Sequence, residues 1–209
     1  MKAALTALGV DPDRLDIVIM QMVNLVKDGE KYKLSKRSGK AITLSTLLDE
    51  IPIDAARFFF NLREPNSHFD FDLDLAVEKS SQNPVYYVQY AHARICSLLT
   101  NLKNEGFEAA SYDKKELDIL DKPQETELIR HLASLPGEID NAAKTYDPSR
   151  ITKYSVELAT LFHKFYDACS VKNAETEQLK KARLILCRAV LQTLRNSLAI
   201  LKIDRPEKM

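Results

Sequence analysis

The chain has 209 residues, 45% of them hydrophobic and 29% charged, enough apolar material for one or two packed cores, so a disordered chain is excluded. Thirty basic and thirty acidic side chains cancel, which excludes a uniformly basic nucleic-acid coat and leaves any RNA contact to local patches. No run approaches the roughly 18 uncharged apolar residues of a membrane span, and Cys96, Cys169 and Cys187 are too scattered for a disulfide framework or a zinc site. A cytoplasmic chain with buried free thiols, no membrane attachment and no protein-bound metal is expected.

The pattern changes near residues 80–84. Before it, periods are mixed. MKAALTALG reads as a short helix closed at Gly9, because only a residue at ease with positive φ suits the position past a helix end. The apolar run LDIVIMQMVNLV predicts a strand over 15–26, turned at Asp28-Gly29 into an extended KYKL, a hairpin that delivers the loop SKRSGKA. TLLDEI and DAARFFF predict two short helices broken at Pro52, with the Asp54 carboxylate capping the second. NSHFDFDLDLA reads as a polar and aromatic connector.

After residue 83 the repeats are helical. Asn83-Pro84 combines a capping side chain with the residue that lacks the donor a first helical turn cannot use. The helix it opens places Val85, Val88, His92, Ile95, Leu99 and Leu102 on one stripe. A helix QETELIRHLASL follows Pro123, and Pro136 is expected to start another. Asp147-Pro148 opens a helix with the stripe Ile151, Tyr154, Leu158, Leu161, Phe162 and Phe165. The last helix uses Leu179, Leu186, Val190, Leu194, Leu198 and Leu201. The expected fold is mainly α, a C-terminal antiparallel helical bundle preceded by a partial α/β segment with the hairpin. His92 and Cys96, four apart, are given a packing role, and His68, His131 and His163 are given structural hydrogen bonds.

Chemistry concentrates in the hairpin. Over residues 27–40, six basic side chains (Lys27, Lys31, Lys33, Lys36, Arg37, Lys40) face only Asp28 and Glu30, so an anion is the natural partner. Ser35, Ser38 and Gly39 add hydroxyls and a backbone able to approach phosphate oxygens closely. A P-loop is excluded, because that frame needs Gly at Leu34 and Ser or Thr at Ala41.

The string KLSKRSGKA after a strand resembles the K-M-S-K-S signature loop of class I aminoacyl-tRNA synthetases. Lys33, Leu34, Ser35 and Lys36 match its first four places; Arg37 stands where the family commonly has Ser, with Ser38 one place later. DPDRLDIVIMQMVNL, DAARFFF, SHFDFDLDLA and NPVYYVQYAHARICSLL resemble arginyl-tRNA synthetases, over nearly the whole chain except residues 104–146, which are read on helical pattern alone. The resemblance implies that ATP and arginine form an adenylate whose arginyl group passes to tRNA. Lys33 and Lys36 would face the departing pyrophosphate, and Ser35, Arg37, Ser38 and Gly39 would hold ATP, with magnesium carried by the nucleotide. Residues 1–80 would be the end of a class I catalytic domain and residues 81–209 an all-helical anticodon-binding domain. Tyr86, Gln89, Tyr90 and Arg94 share a face offset from the apolar stripe. With Met209 at the end of DRPEKM they are the expected RNA contacts.

The H-I-G-H signature occurs nowhere in the sequence, so catalysis is expected only with the missing catalytic domain of the same protein. The intact protein is expected to be a monomer and the fragment to self-associate through apolar surface made for that domain. The competing expectation is an independent RNA-binding or regulatory helical module.

Overall fold

The computed structural model describes residues 1–32, 43–108 and 113–209. Helix α1 (Lys2–Ala7) ends as expected, with Gly9 at φ 72°. The predicted long strand does not follow. Only β1 (Val23–Lys27) forms, paired antiparallel with β2 (Glu30–Lys31) and parallel with β3 (Phe69–Asp72), giving the order β2-β1-β3. The register places Val23 opposite Phe69 and Leu25 opposite Phe71. Residues 15–22 have no strand opposite them among the described residues, so nothing completes a ladder there. The turn between β1 and β2 has positive φ at both Asp28 (55°) and Gly29 (74°), the geometry that matches the twist of flanking strands.

The parallel pairing of β1 and β3 needs a crossover, and its described part contains α2 (Leu44–Glu50) and α3 (Ile53–Phe60). Thr43 caps α2 through its hydroxyl. Asp54 does not cap α3, contrary to expectation. The cap position is Pro52, which leaves Asp54 inside the first turn, where its charge suits the helix dipole and its oxygens are free to reach outward. The connector carries β3 followed by α4 (Leu73–Val77), which the Asp72 carboxylate caps.

Four long helices make the rest: α5 (Pro84–Asn104), α6 (Pro123–Thr145), α7 (Ser149–Ala168) and α8 (Glu177–Leu201). Asn83 caps α5 as expected, and the side-chain amide also donates to the Ala76 and Glu78 carbonyls. Pro136 does not start a helix. It sits inside α6, which runs on through it at the cost of one backbone hydrogen bond because α6 packs along α7. The three residues between α6 and α7 force these two into antiparallel neighbours. Helix α7 lies at the centre, in contact with α5, α6 and α8.

One apolar core runs from Leu47, Phe58 and Phe71 through Val88 and Ile95 to Phe162, Phe165, Leu194 and Leu198. Burying each such side chain contributes on the order of 1.5–3 kcal/mol. The predicted stripes are buried, apart from Leu99, Leu161 and Leu179, which are half-buried. Cys169 and Cys187 are buried free thiols, and burial pushes Cys187 up to about 12; Cys96 is half-buried. By length and composition α8 is apolar enough to cross a bilayer, a property the count of uncharged runs overlooked; its apolar face packs inside the bundle. A buried pair sits among these helices, Arg183 Nε donating to Glu125 Oε1 at 2.7 Å and Arg183 Nη1 to the Ser170 carbonyl at 2.8 Å.

Candidate nucleic-acid interface

Helix α5 carries Tyr86, Tyr87, Gln89, Tyr90 and Arg94 because a 3.6-residue period that buries Val85, Val88, His92 and Ile95 leaves these positions toward the surface. Tyr86 and Tyr90, one turn apart, lie with rings parallel to within 6° and centroids 6.5 Å apart. Tyr86 is half-buried and Tyr90 is 39% exposed, so one ring is braced while the other offers a free face. The Arg94 guanidinium lies 4.2 Å from the Tyr166 ring centroid on α7 and 5.7 Å from that of Tyr90. It also donates to His163 Nδ1 at 3.2 Å.

Arginine has no acceptor, so His163 Nδ1 must accept and its proton sits on Nε2. Burial, and then the Arg94 charge beside it, hold His163 below the usual imidazole range, so the ring is neutral near pH 7. Its Nε2 is buried and has no hydrogen-bond partner among the described residues. The Tyr87 and Tyr90 rings flank it at centroid distances of 5.0 and 5.9 Å. The result is a cationic plane fixed among rings, an arrangement suited to bases that have left their stack.

The structure brings Tyr86, Tyr90 and Arg94 together and diverts Gln89. The Gln89 Nε2 atom donates to Asp54 Oδ2 at 2.8 Å and to the Asp204 carbonyl at 3.1 Å, so its amide is spent inside the protein. Met209 is 50% exposed, two residues past the tail's ion pair between Glu207 and Arg195. Sequence reasoning missed Tyr166 and gave His163 a structural hydrogen bond with no part in the site. Each stands one residue after a core aromatic, Phe162 or Phe165, a position turned about 100° from the stripe and so toward a neighbouring helix.

His92 is committed as well. Its Nδ1 donates to the Pro206 carbonyl at 2.9 Å and its Nε2 accepts from Arg195 Nε at 3.2 Å. Burial first, then the neighbouring Arg195 charge, lowers its pKa, partly offset by the Pro206 hydrogen bond.

Lys33, Ser35, Lys36, Arg37, Ser38 and Gly39 lie outside the described residues, as does Lys40. The hairpin root is described and modifies the charge count. Lys27 is held by Glu50 at 2.8 Å, which raises the Lys27 pKa and lowers that of Glu50. Glu50 also accepts from the Tyr32 hydroxyl at 3.2 Å. Lys27 thus braces β1 against α2 and is not a free cation for a ligand. Beside it a cleft of about 460 Å³ is lined by Asn24, Leu25, Lys31, Tyr32, Leu44 and Leu47 among others.

The architecture is that of an all-helical bundle whose first long helix presents an arginine among aromatic rings. Residues 88–209 match the DALR anticodon binding domain, more than half of the chain, and the chain belongs to that family. Its curated relatives are arginine–tRNA ligases. That of Acetivibrio thermocellus is 52% identical over 209 residues, covering 100% of this chain and 37% of that protein. That of Caldanaerobacter subterraneus subsp. tengcongensis is 51% identical over the same span. Among solved structures, a Campylobacter jejuni protein assigned as an arginyl-tRNA synthetase has a TM-score of 0.81 at 30% identity, covering 100% of this chain and 44% of that one. The arginyl-tRNA synthetase of Thermus thermophilus shares the fold, with a TM-score of 0.70 at 24% identity over 88% of this chain and 34% of that one. The chain spans about 37% of the length of the curated relatives it matches. Residues 104–146, which pattern alone described, lie inside the family match.

Proposed function

We propose that this chain is the tRNA-holding portion of an arginine–tRNA ligase, which joins arginine to its tRNA at the expense of ATP. Residues 1–80 are then the end of a class I catalytic domain and residues 81–209 the anticodon-binding domain. The observation that carries this reading is the fixed Arg94 plane beside the Tyr86 and Tyr90 rings, on a bundle of the anticodon-binding family. Unpaired loop bases stack on such rings at about 1–3 kcal/mol per base.

In the same reading Lys33 and Lys36 lie over the departing pyrophosphate, where charge grows as the α-phosphate is attacked, and Ser35, Arg37, Ser38 and Gly39 hold the nucleotide. Magnesium arrives with ATP. The rest of the catalytic domain is a required partner. Ile17, Val18, Ile19, Met20 and Met22 support that requirement, because each is at least 48% exposed and they form one apolar ribbon. An independent RNA-binding module would have no use for such a ribbon. The reading puts the protein in the cytoplasm and makes the intact enzyme a monomer.

The test is the double substitution Tyr86→Ala and Tyr90→Ala in the full-length protein, followed by titration with an arginine tRNA transcript. Loss of one stacked base is expected to weaken binding about tenfold or more with unchanged thermal stability. Equal affinity refutes the stacking role.

A further inference from the structure

The C-terminal segment after α8 is pinned by two side chains that read both backbone groups of a single residue. Asp204 N–H donates to Asp54 Oδ1 and Oδ2, both at 3.2 Å. The Asp204 carbonyl accepts from Gln89 Nε2, which also donates to Asp54 Oδ2. Asp54, Gln89 and the Asp204 peptide therefore close a ring of hydrogen bonds among α3, α5 and the tail. Each member fixes the other two, and the charged carboxylate strengthens both links that it accepts.

The placement of Asp54 makes the ring informative. Asp54 lies outside residues 88–209, the stretch that matches the anticodon-binding family. The tail also meets that stretch itself, at His92 through the Pro206 carbonyl and at Arg195 through Glu207, and Ile203 is buried beneath it. The bundle thus completes its tail only with a residue from the preceding region. Gln89, which the sequence suggests as an RNA contact, has its amide turned to Asp54 and the tail instead.

We propose that Asp54 and Gln89 are positioning residues, which hold the C-terminal segment across α5 and so set the shape of the tRNA-binding surface, without touching RNA themselves. The proposal rests on the tRNA-binding reading above. It deepens that reading by making the surface depend on α3, so that the two regions of the chain share one binding determinant.

The test has two readouts on the full-length protein: affinity for an arginine tRNA transcript, and hydrogen exchange in the peptide spanning residues 202–209. Asp54→Ala and, independently, Gln89→Ala are expected to speed exchange in that peptide and to weaken tRNA binding about tenfold, the order of one charge-assisted hydrogen bond. Asp54→Asn keeps an acceptor for the Asp204 N–H and is expected to lose about a third as much or less on that scale. A stop after Ile203 should weaken binding by itself, and adding either alanine to it should change nothing further.

An equal loss from the alanines with and without the tail overturns the proposal, because the side chains then act on RNA or on the fold directly. Unchanged exchange in the tail peptide overturns it, and so does faster exchange with unchanged affinity. A wild-type protein that binds no tRNA sinks the tRNA reading and the RNA role together. That outcome is distinguishable, because the exchange difference between wild type and Asp54→Ala would persist.

Discussion

Two imidazoles in this fold are useful because they are uncharged. His92 stands between a carbonyl that needs a donor and an arginine that needs an acceptor, and only one neutral tautomer satisfies both. A proton on Nε2 would face the Arg195 guanidinium, with Arg205 adding to the repulsion and Glu207 opposing it. Burial first, and this repulsion after it, lower the folded pKa from its ordinary 6.5, whereas the unfolded chain keeps it. The unfolded state then binds more protons below that value, so stability rises with pH there. The His92 contribution is fully present well above 6.5, falls as pH drops through 6.5 and stops falling below the folded pKa. His163 shifts in the same direction. Urea midpoints measured from pH 7.5 to 5.5 should decline, and His92→Asn, which retains a donor for Pro206, should flatten the decline. An equal slope in the variant removes His92 as the cause. Neither partner of His92 could be read from the sequence, since Pro206 is 114 residues away and Arg195 is 103. Tyr86, Tyr90 and Arg94 were legible because one helix period brings them together. Gln89 was not, because its partners come from α3 and the tail.

The elements divide in the same way. Helices α5, α7 and α8 announce themselves through stripes and caps that need no distant partner. The strands do not. An apolar run becomes a strand only where another lies beside it, and β3, written as a polar stretch, supplies that for residues 23–26 alone. Asp54 was misplaced by two residues in helix phase, which turned a supposed cap into a tail anchor. Pro136 shows a local rule losing to packing. The ring occupies the interior of a 23-residue helix, where proline costs about 3 kcal/mol against alanine before the unfolded chain's lost freedom is set against it. Pro136→Ala should therefore raise stability to urea by roughly 1–2 kcal/mol. A lower midpoint would mean that the bundle needs the proline's shape at this position.

At the scale of the molecule, one core holds both regions, so separating them at residue 80 would expose Phe58, Phe59 and Phe71 along with Val85 and Val88. Thr152 on α7 adds a polar tie, donating to the Asn61 carbonyl at 2.6 Å. The ribbon at residues 17–22 is the unfinished edge of this body. Sedimentation of the 209-residue chain should show concentration-dependent association, and Ile19→Lys with Met22→Lys should abolish it while leaving the helical bundle intact. A monomer at all concentrations would mean that the ribbon is not adhesive.

The ribbon also bears on how the chain reaches its native state. Among the described residues, the one backbone hydrogen bond its amides make is from Gln21 N–H to the Pro65 carbonyl at 2.9 Å, and its apolar side chains stand largely exposed. A second copy laid alongside would satisfy both at once, which is the geometry by which newly made chains aggregate. Recovery from denaturant should accordingly fall as protein concentration rises, a race between correct burial and pairing with a neighbour that the finished bundle does not itself reveal.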